Sequence, residues 1–178
     1  IITGIGKSAI IAEKITATLN STGSPAVFMH AADAIHGDLG IVRKNDVVIC
    51  LSKSGNTPEI KVLVPYIKKL GNTIVAFVSN AESFLASQAD IVVRTTVDKE
   101  ACPFNLAPTS STTAQLVMGD ALAVALLNMK NFTDNDFAKY HPGGALGKRL
   151  YLRVHDLYVL NEKPIVYLTD KLKDVIVE

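Results

Sequence analysis

The segment Ser52-Lys53-Ser54-Gly55-Asn56-Thr57 gathers two serines, an asparagine and a threonine around one glycine, directly after the apolar run Val47-Val48-Ile49-Cys50-Leu51. Small hydroxyls and free backbone amides where a strand turns into a helix are what a dianionic phosphate needs. Such a group only accepts hydrogen bonds, and it is favoured at the positive end of a helix. A solvated loop explains part of the same pattern, with Thr57 capping the next helix and Pro58 at its first position. A second glycine-bearing turn is Gly4-Ile5-Gly6-Lys7-Ser8-Ala9. It ends like a Walker A loop, but that motif requires a glycine where Ile1 stands. It also satisfies the G-x-G-x-x-A form of the dinucleotide fingerprint, which wants an acidic residue after the second strand; Met29-His30-Ala31 occupies that place and Asp33 lies beyond it. Lys7 brings a cation into the turn, which suits a phosphate or a developing oxyanion.

Further titratable groups stand beside tight turns. His36 precedes Gly37-Asp38-Leu39-Gly40, and His141 precedes Pro142-Gly143-Gly144. A lone loop histidine is commonly structural or merely exposed, whereas adjacent glycines point to backbone held close to something. His30 and His155 have no such context. Glu100, in Lys99-Glu100-Ala101-Cys102-Pro103, follows a strand and is a candidate general base. Glu59 falls in the first turn of a helix, where a carboxylate is favoured by the helix dipole in any case. Pro108-Thr109-Ser110-Ser111-Thr112-Thr113 opens a long helical pattern with more hydroxyls than a cap requires.

The elements that must position these groups read as alternating strands and helices. Residues 1–3, 25–29, 47–51, 73–78 and 91–95 are near-continuous apolar runs, as in a parallel sheet covered on both faces. Helical patterns at 7–19, 59–70, 83–89 and 109–129 separate or follow them. The expected fold is α/β: a doubly wound five-stranded parallel sheet with helices on both faces, in the flavodoxin-like order 2-1-3-4-5. In that order a ligand crevice lies between strands 1 and 3, bordered by the Gly4–Ser8 and Ser52–Thr57 turns. Residues 1–150 are expected to form this domain. Residues 151–178 read as a linker entering a second module, with strand-like pieces at 154–157 and 165–167.

Composition narrows the function classes. The chain has 178 residues and 48% hydrophobic content, and 18 basic against 17 acidic residues leave a net charge of +1. No basic face for nucleic acid is expected. No run is long and apolar enough to predict a membrane span, since Asp120 interrupts the stretch 116–129. The two cysteines, Cys50 and Cys102, show no disulfide spacing and fit a reducing cytoplasm. The opening Ile1-Ile2-Thr3 lacks a methionine and reads as part of a longer protein.

Taken together, these motifs resemble the sugar-isomerase (SIS) family, whose mark is a Ser-x-Ser-Gly-x-Thr phosphate loop after the third strand. The likeness extends in one register over about residues 1–158. It takes in Gly4–Ser8, Ser52–Thr57, His36–Gly40, Lys99–Pro103, Leu106–Thr113, Met118–Leu122 and His141–Gly147. It points to the branch that interconverts D-ribulose 5-phosphate and D-arabinose 5-phosphate, a step feeding synthesis of the acidic sugar Kdo for lipopolysaccharide or capsule. The resemblance implies no cofactor and no metal, a cytoplasmic homotetramer with shared active sites, and CBS modules after the isomerase domain. Family members also carry helices ahead of the first strand that this chain lacks. Pathway logic adds CMP-Kdo as a feedback ligand. The phosphate would be held by Ser52, Ser54, Gly55 and Thr57, helped by Ser8 and Ser111.

Lys7, Glu59, Glu100 and His141 take the family's catalytic positions, with His36 a further active-site histidine. The reaction passes through a cis-enediolate. The expected roles are Glu100 as carbon base, Lys7 stabilising the oxyanion, and His141 as oxygen proton shuttle or alternative base. Glu59 would orient Lys7 or a substrate hydroxyl, and His36 would lie near the reacting end of the sugar. His141 is expected to reach the site of a neighbouring subunit. A different class, the sugar-phosphate sensor half of a transcription regulator, shares the serine loop but not necessarily the acid–base set.

Overall fold

The computed structural model describes residues 1–156 and 166–173. They divide into two compact units, the first running Ile1–Phe132 and the second beginning at Thr133.

In the first unit β1 (Ile2–Gly4) leads into α1 (Lys7–Ser21) and β2 (Phe28–His30). Then come α2 (Ala31–Ala34), a 3₁₀ turn (Asp38–Ile41), β3 (Val47–Leu51) and α3 (Pro58–Leu70). β4 (Thr73–Val78), α4 (Phe84–Gln88), β5 (Ile91–Arg94) and α5 (Ser110–Met129) complete it. The five strands pair in the order β2-β1-β3-β4-β5, all parallel, as the sequence predicts. β1 is the switch strand: Thr3 pairs with Met29 on one side and Cys50 on the other.

Each strand feeds both faces of the sheet by its period of two. Val48 and Cys50 of β3 and Ile74, Ala76 and Val78 of β4 join Ile60, Leu63, Val64 and Ile67 of α3 in one core. Leu51 and Phe77 point the other way and pack with Ile2, Ala12, Ile15, Leu19 and Ala123, which come from β1, α1 and α5. Helix termini follow local chemistry. α3 starts with Pro58, carries Glu59 in its first turn and Lys68 and Lys69 in its last, and stops at Gly71 in the left-handed conformation, φ +78°.

α5 is long and apolar enough by composition alone to cross a bilayer. It is instead built into the α/β body, with Ser111, Gln115, Gly119 and Ala123 buried along one stripe and Asp120 ion-paired with Lys14 of α1. A Cβ at Gly119 would run into Ile15, so the glycine is what lets α1 and α5 approach so closely.

β2 begins later than the apolar run predicts, at Phe28 rather than Pro25. Pro25 has no amide to give a ladder. The second unit contains α6 (Asp134–Tyr140) and α7 (Ala145–Tyr151). Thr133 and Asp136 form a reciprocal capping box at the start of α6. Residues 154–156 are helical, not strand-like as expected. The Asp156 carboxylate accepts from the Arg153 amide at 3.0 Å, which favours a turn over an extended ladder. The rest of that expected piece, Leu157, and Ile165 of the next lie outside the described residues.

Candidate active site

At the carboxyl ends of β1 and β3 the Gly4–Ser8 turn and the Ser52–Thr57 loop face the first turn of α5 across a cleft of about 380 Å³. Lys7, Ser8, Ser52, Ser54, Thr57 and Ser111 all line it. These six residues, expected from the sequence to serve one ligand, are therefore brought together.

The Ser52–Thr57 loop is held by its own polar groups and by the sheet. The Ser52 amide donates to Phe77 O at 3.0 Å, and Ser79 N donates to Lys53 O at 3.0 Å. The Ser52 hydroxyl accepts from Gly55 N at 3.1 Å and lies 2.8 Å from the Thr57 hydroxyl. Thr57 occupies the N-cap position of α3 but makes no capping bond from its side chain, so the capping account of its hydroxyl fails. Gly55 has φ +65°, and a Cβ there would collide with the Ser83 side chain. Only glycine fits both the dihedral and the space.

Glu100 is the most tightly held side chain of the region. Its carboxylate is fully buried and bridges two walls of the cleft. Oε1 accepts from Lys53 Nζ at 2.6 Å and from Ser111 Oγ at 2.5 Å; Oε2 accepts from Thr109 N at 2.8 Å and Ser111 N at 3.1 Å. Thr109, the N-cap of α5, makes no capping bond from its side chain, so a carboxylate from the β5–α5 loop caps that helix. The Lys53 ammonium, then Ser111 and the backbone amides, hold the Glu100 carboxyl well below the usual carboxylate range, against the opposing effect of burial. A carbon base needs an available lone pair and an appreciable proton affinity. The hydrogen bonds that Glu100 accepts draw on the same lone pairs a base would use.

Lys7 opens α1 with an exposed side chain, next to Gly6 at φ +59°. Glu59 is half-buried in the first turn of α3, and His36 is exposed between α2 and the 3₁₀ turn. Neither belongs to the cleft lining. In the second unit, His141 ends α6 and stacks on Phe137 with ring centroids 3.8 Å apart. Its Nδ1 lies 2.9 Å from the Phe137 carbonyl. A carbonyl only accepts, so Nδ1 carries the proton in that contact, which in the neutral ring leaves the lone pair on Nε2.

Two residues escaped the sequence reading, Lys53 of the cleft lining and Gln115 buried behind Ser8. Lys53 sits at a variable position of the serine motif, and nothing in its spacing announces a partner 47 residues away. Gln115 lies one turn below Ser111 on the buried stripe of α5, where a helical period would have flagged it as a polar residue in an apolar place.

The first 125 residues match the model of the SIS domain family. The chain belongs to that family. Over its whole length it is 54% identical to a Francisella tularensis protein named arabinose 5-phosphate isomerase KdsD, and 51% identical to the Pseudomonas aeruginosa protein of the same name. It spans about half the length of these curated relatives, 55% of each. The solved structure of an E. coli CFT073 protein in complex with arabinose 5-phosphate superposes with a TM-score of 0.78 at 49% identity, over 79% of this chain and 75% of that one.

Proposed function

We propose that the chain is the catalytic domain of a D-arabinose 5-phosphate isomerase, interconverting D-ribulose 5-phosphate and D-arabinose 5-phosphate through a cis-enediolate and feeding Kdo synthesis. The observation that carries this is the convergence of the serine loop, Lys7 and Ser111 on one cleft at the switch point of the sheet. The relatives named for that activity support it over the full chain. So does the structure of a 49% identical protein with arabinose 5-phosphate bound.

The phosphate lies against Ser52, Ser54, Thr57 and the Gly55 amide, with Ser8 and Ser111 opposite. Lys7 stabilises the enediolate oxygens. His141 of a neighbouring subunit takes the carbon-base role through Nε2, because Glu100 is committed to capping α5 and holding Lys53. Glu59 and His36 orient the sugar from the rim in the assembled homotetramer. Residues 151–178 lead toward a regulatory CBS module. The free cysteines Cys50 and Cys102 fit a cytoplasmic setting. CMP-Kdo binds as a feedback ligand; a calorimetric titration without heat removes it.

The test of the activity is proton NMR of D-ribulose 5-phosphate with the purified protein in deuterium oxide. Deuterium at C2 of the arabinose 5-phosphate formed, with its growing anomeric signal, and exchange into C1 of the remaining ribulose 5-phosphate are expected. Saturable binding with neither exchange nor product would make this a sensor and remove the isomerase assignment.

A further inference from the structure

Gln115 is 1% exposed, and it is one of the largest fully buried side chains of the chain. Its amide oxygen accepts a hydrogen bond from Ser8 Oγ at 3.2 Å, across 107 residues of sequence. Its Nε2 has no partner. Exchanging the two ends of the amide would make Gln115 the donor and orphan the oxygen, so one end lacks a partner in either orientation. A buried donor left unsatisfied is a cost that an apolar residue of the same shape would avoid. The position is otherwise an apolar one: the buried stripe of α5 continues from Gln115 into Gly119 and Ala123.

The serine's own chemistry shows what the amide is for. A hydroxyl has one proton to give, and in the present arrangement Ser8 gives it to Gln115. A phosphate dianion accepts only, so Ser8 contributes to its binding by turning that proton toward the anion. Doing so removes the donor from Gln115 Oε1 and leaves two Ser8 lone pairs facing the amide. An amide can answer by rotating half a turn, presenting Nε2–H to Ser8 Oγ. The chain Nε2–H to Oγ–H to phosphate is then a run of hydrogen bonds in one direction, each polarising the next. The Nε2–H left without a partner while Ser8 donates to Gln115 is the one needed when Ser8 donates to phosphate.

We propose that Gln115 is a positioning residue of the phosphate cradle, its amide turning over to donate to Ser8 Oγ when the Ser8 hydroxyl donates to bound phosphate. This rests on the reading of the cleft as a sugar-phosphate site. Gln115 itself does not touch the substrate; it acts through Ser8.

The experiment compares wild type with Gln115→Met, Gln115→Glu, Ser8→Ala and the double variant Ser8→Ala/Gln115→Met. It reads Kd for D-arabinose 5-phosphate by calorimetry, KM and kcat for its isomerisation, and Tm. Methionine fills the space without donor or acceptor and removes the polarising support of Ser8, so Kd and KM rise, by less than the about fivefold worth of a whole net hydrogen bond, because a Ser8–Gln115 bond is present with and without ligand. kcat stays near wild type, and Tm is equal or higher because the orphaned amide is gone. Glutamate accepts from Ser8 but cannot donate while ionised, so Gln115→Glu binds more weakly still. With Ser8→Ala already present, Gln115→Met costs nothing further.

Wild-type affinity in Gln115→Met, with Tm lowered or not, overturns the proposal, because it makes the amide a structural filler. An undiminished effect of Gln115→Met on the Ser8→Ala background overturns it as well. Wild-type binding without turnover fails the isomerase assignment alone and leaves the Kd comparison decisive. Wild-type protein that binds no sugar phosphate refutes both.

Discussion

Replacing Lys53 with methionine isolates the bond that holds the buried Glu100 carboxylate to the Ser52–Thr57 loop. Lys53→Met removes the ammonium at 2.6 Å but leaves Ser111 Oγ, Ser111 N and Thr109 N in place, so the carboxylate keeps donors and loses its counter-charge. A hydrogen bond to a charged group contributes about 1.5–3 kcal/mol, and the lower end applies here because Lys53 is half exposed to screening solvent. A loss of about 1.5 kcal/mol corresponds to a fall in Tm of about 3–6 °C for a chain of this size. The effect also depends on pH. A carboxylate whose folded pKa lies below its unfolded value stabilises fully above the unfolded value, about 4.3 for glutamate, and loses that contribution as pH falls through the folded value. Lys53 is the largest cause of the lowering at Glu100. Its removal raises the folded value toward the unfolded one, shrinking the stabilisation at neutral pH and moving the acid loss upward. Thermal melts followed by circular dichroism between about pH 3 and 8 read both effects. Equal Tm at neutral pH together with superimposable acid limbs would refute the ion pair as the clamp on Glu100. Lys53→Arg should recover most of the difference.

Other consequences are as direct. Lys7→Ala removes the cation proposed at the enediolate oxygens, worth about 2.7–4 kcal/mol of barrier, and should lower kcat at least about a hundredfold while the melting curve persists; a tenfold loss or less takes Lys7 out of that role. Gly55→Ala meets both a positive φ and the Ser83 side chain. It should cost about 1–3 kcal/mol in denaturant titrations and abolish sugar-phosphate binding; wild-type stability would mean the loop relaxes freely. Mixing inactive Lys7→Ala and His141→Ala chains should restore activity if His141 serves a neighbour's cleft, whereas a mixture as dead as its parts would confine the site to one chain.

The sheet was legible because parallel strands are buried on both faces and therefore spell continuous apolar runs, as β3 and β4 do. Strand order then brought the Gly4 and Ser52 turns together by topology alone. What composition and spacing could not carry were pairings made across the fold. Glu100 reads in sequence as a loop carboxylate free to act as a base. Only the packed structure shows its oxygens shared among Lys53, Thr109 and Ser111. α2 and the 3₁₀ turn at 38–41 are too short to leave a periodic signal, and the turn at 154–156 is closed by local bonds between Arg153 and Asp156, one from the backbone and one to the Asp156 side chain.

The way α5 begins alters how that corner of the protein breathes. First-turn amides of a helix lack intrahelical partners and ordinarily trade their protons with solvent quickly. Those of Thr109 and Ser111 are bonded instead to a carboxylate that solvent does not reach. Their exchange therefore waits on an opening large enough to expel a buried charge from its socket, an event closer to global unfolding than to fraying. The rim of the cleft, where enzymes commonly keep their softest segments, is in this chain fastened at the depth of the core.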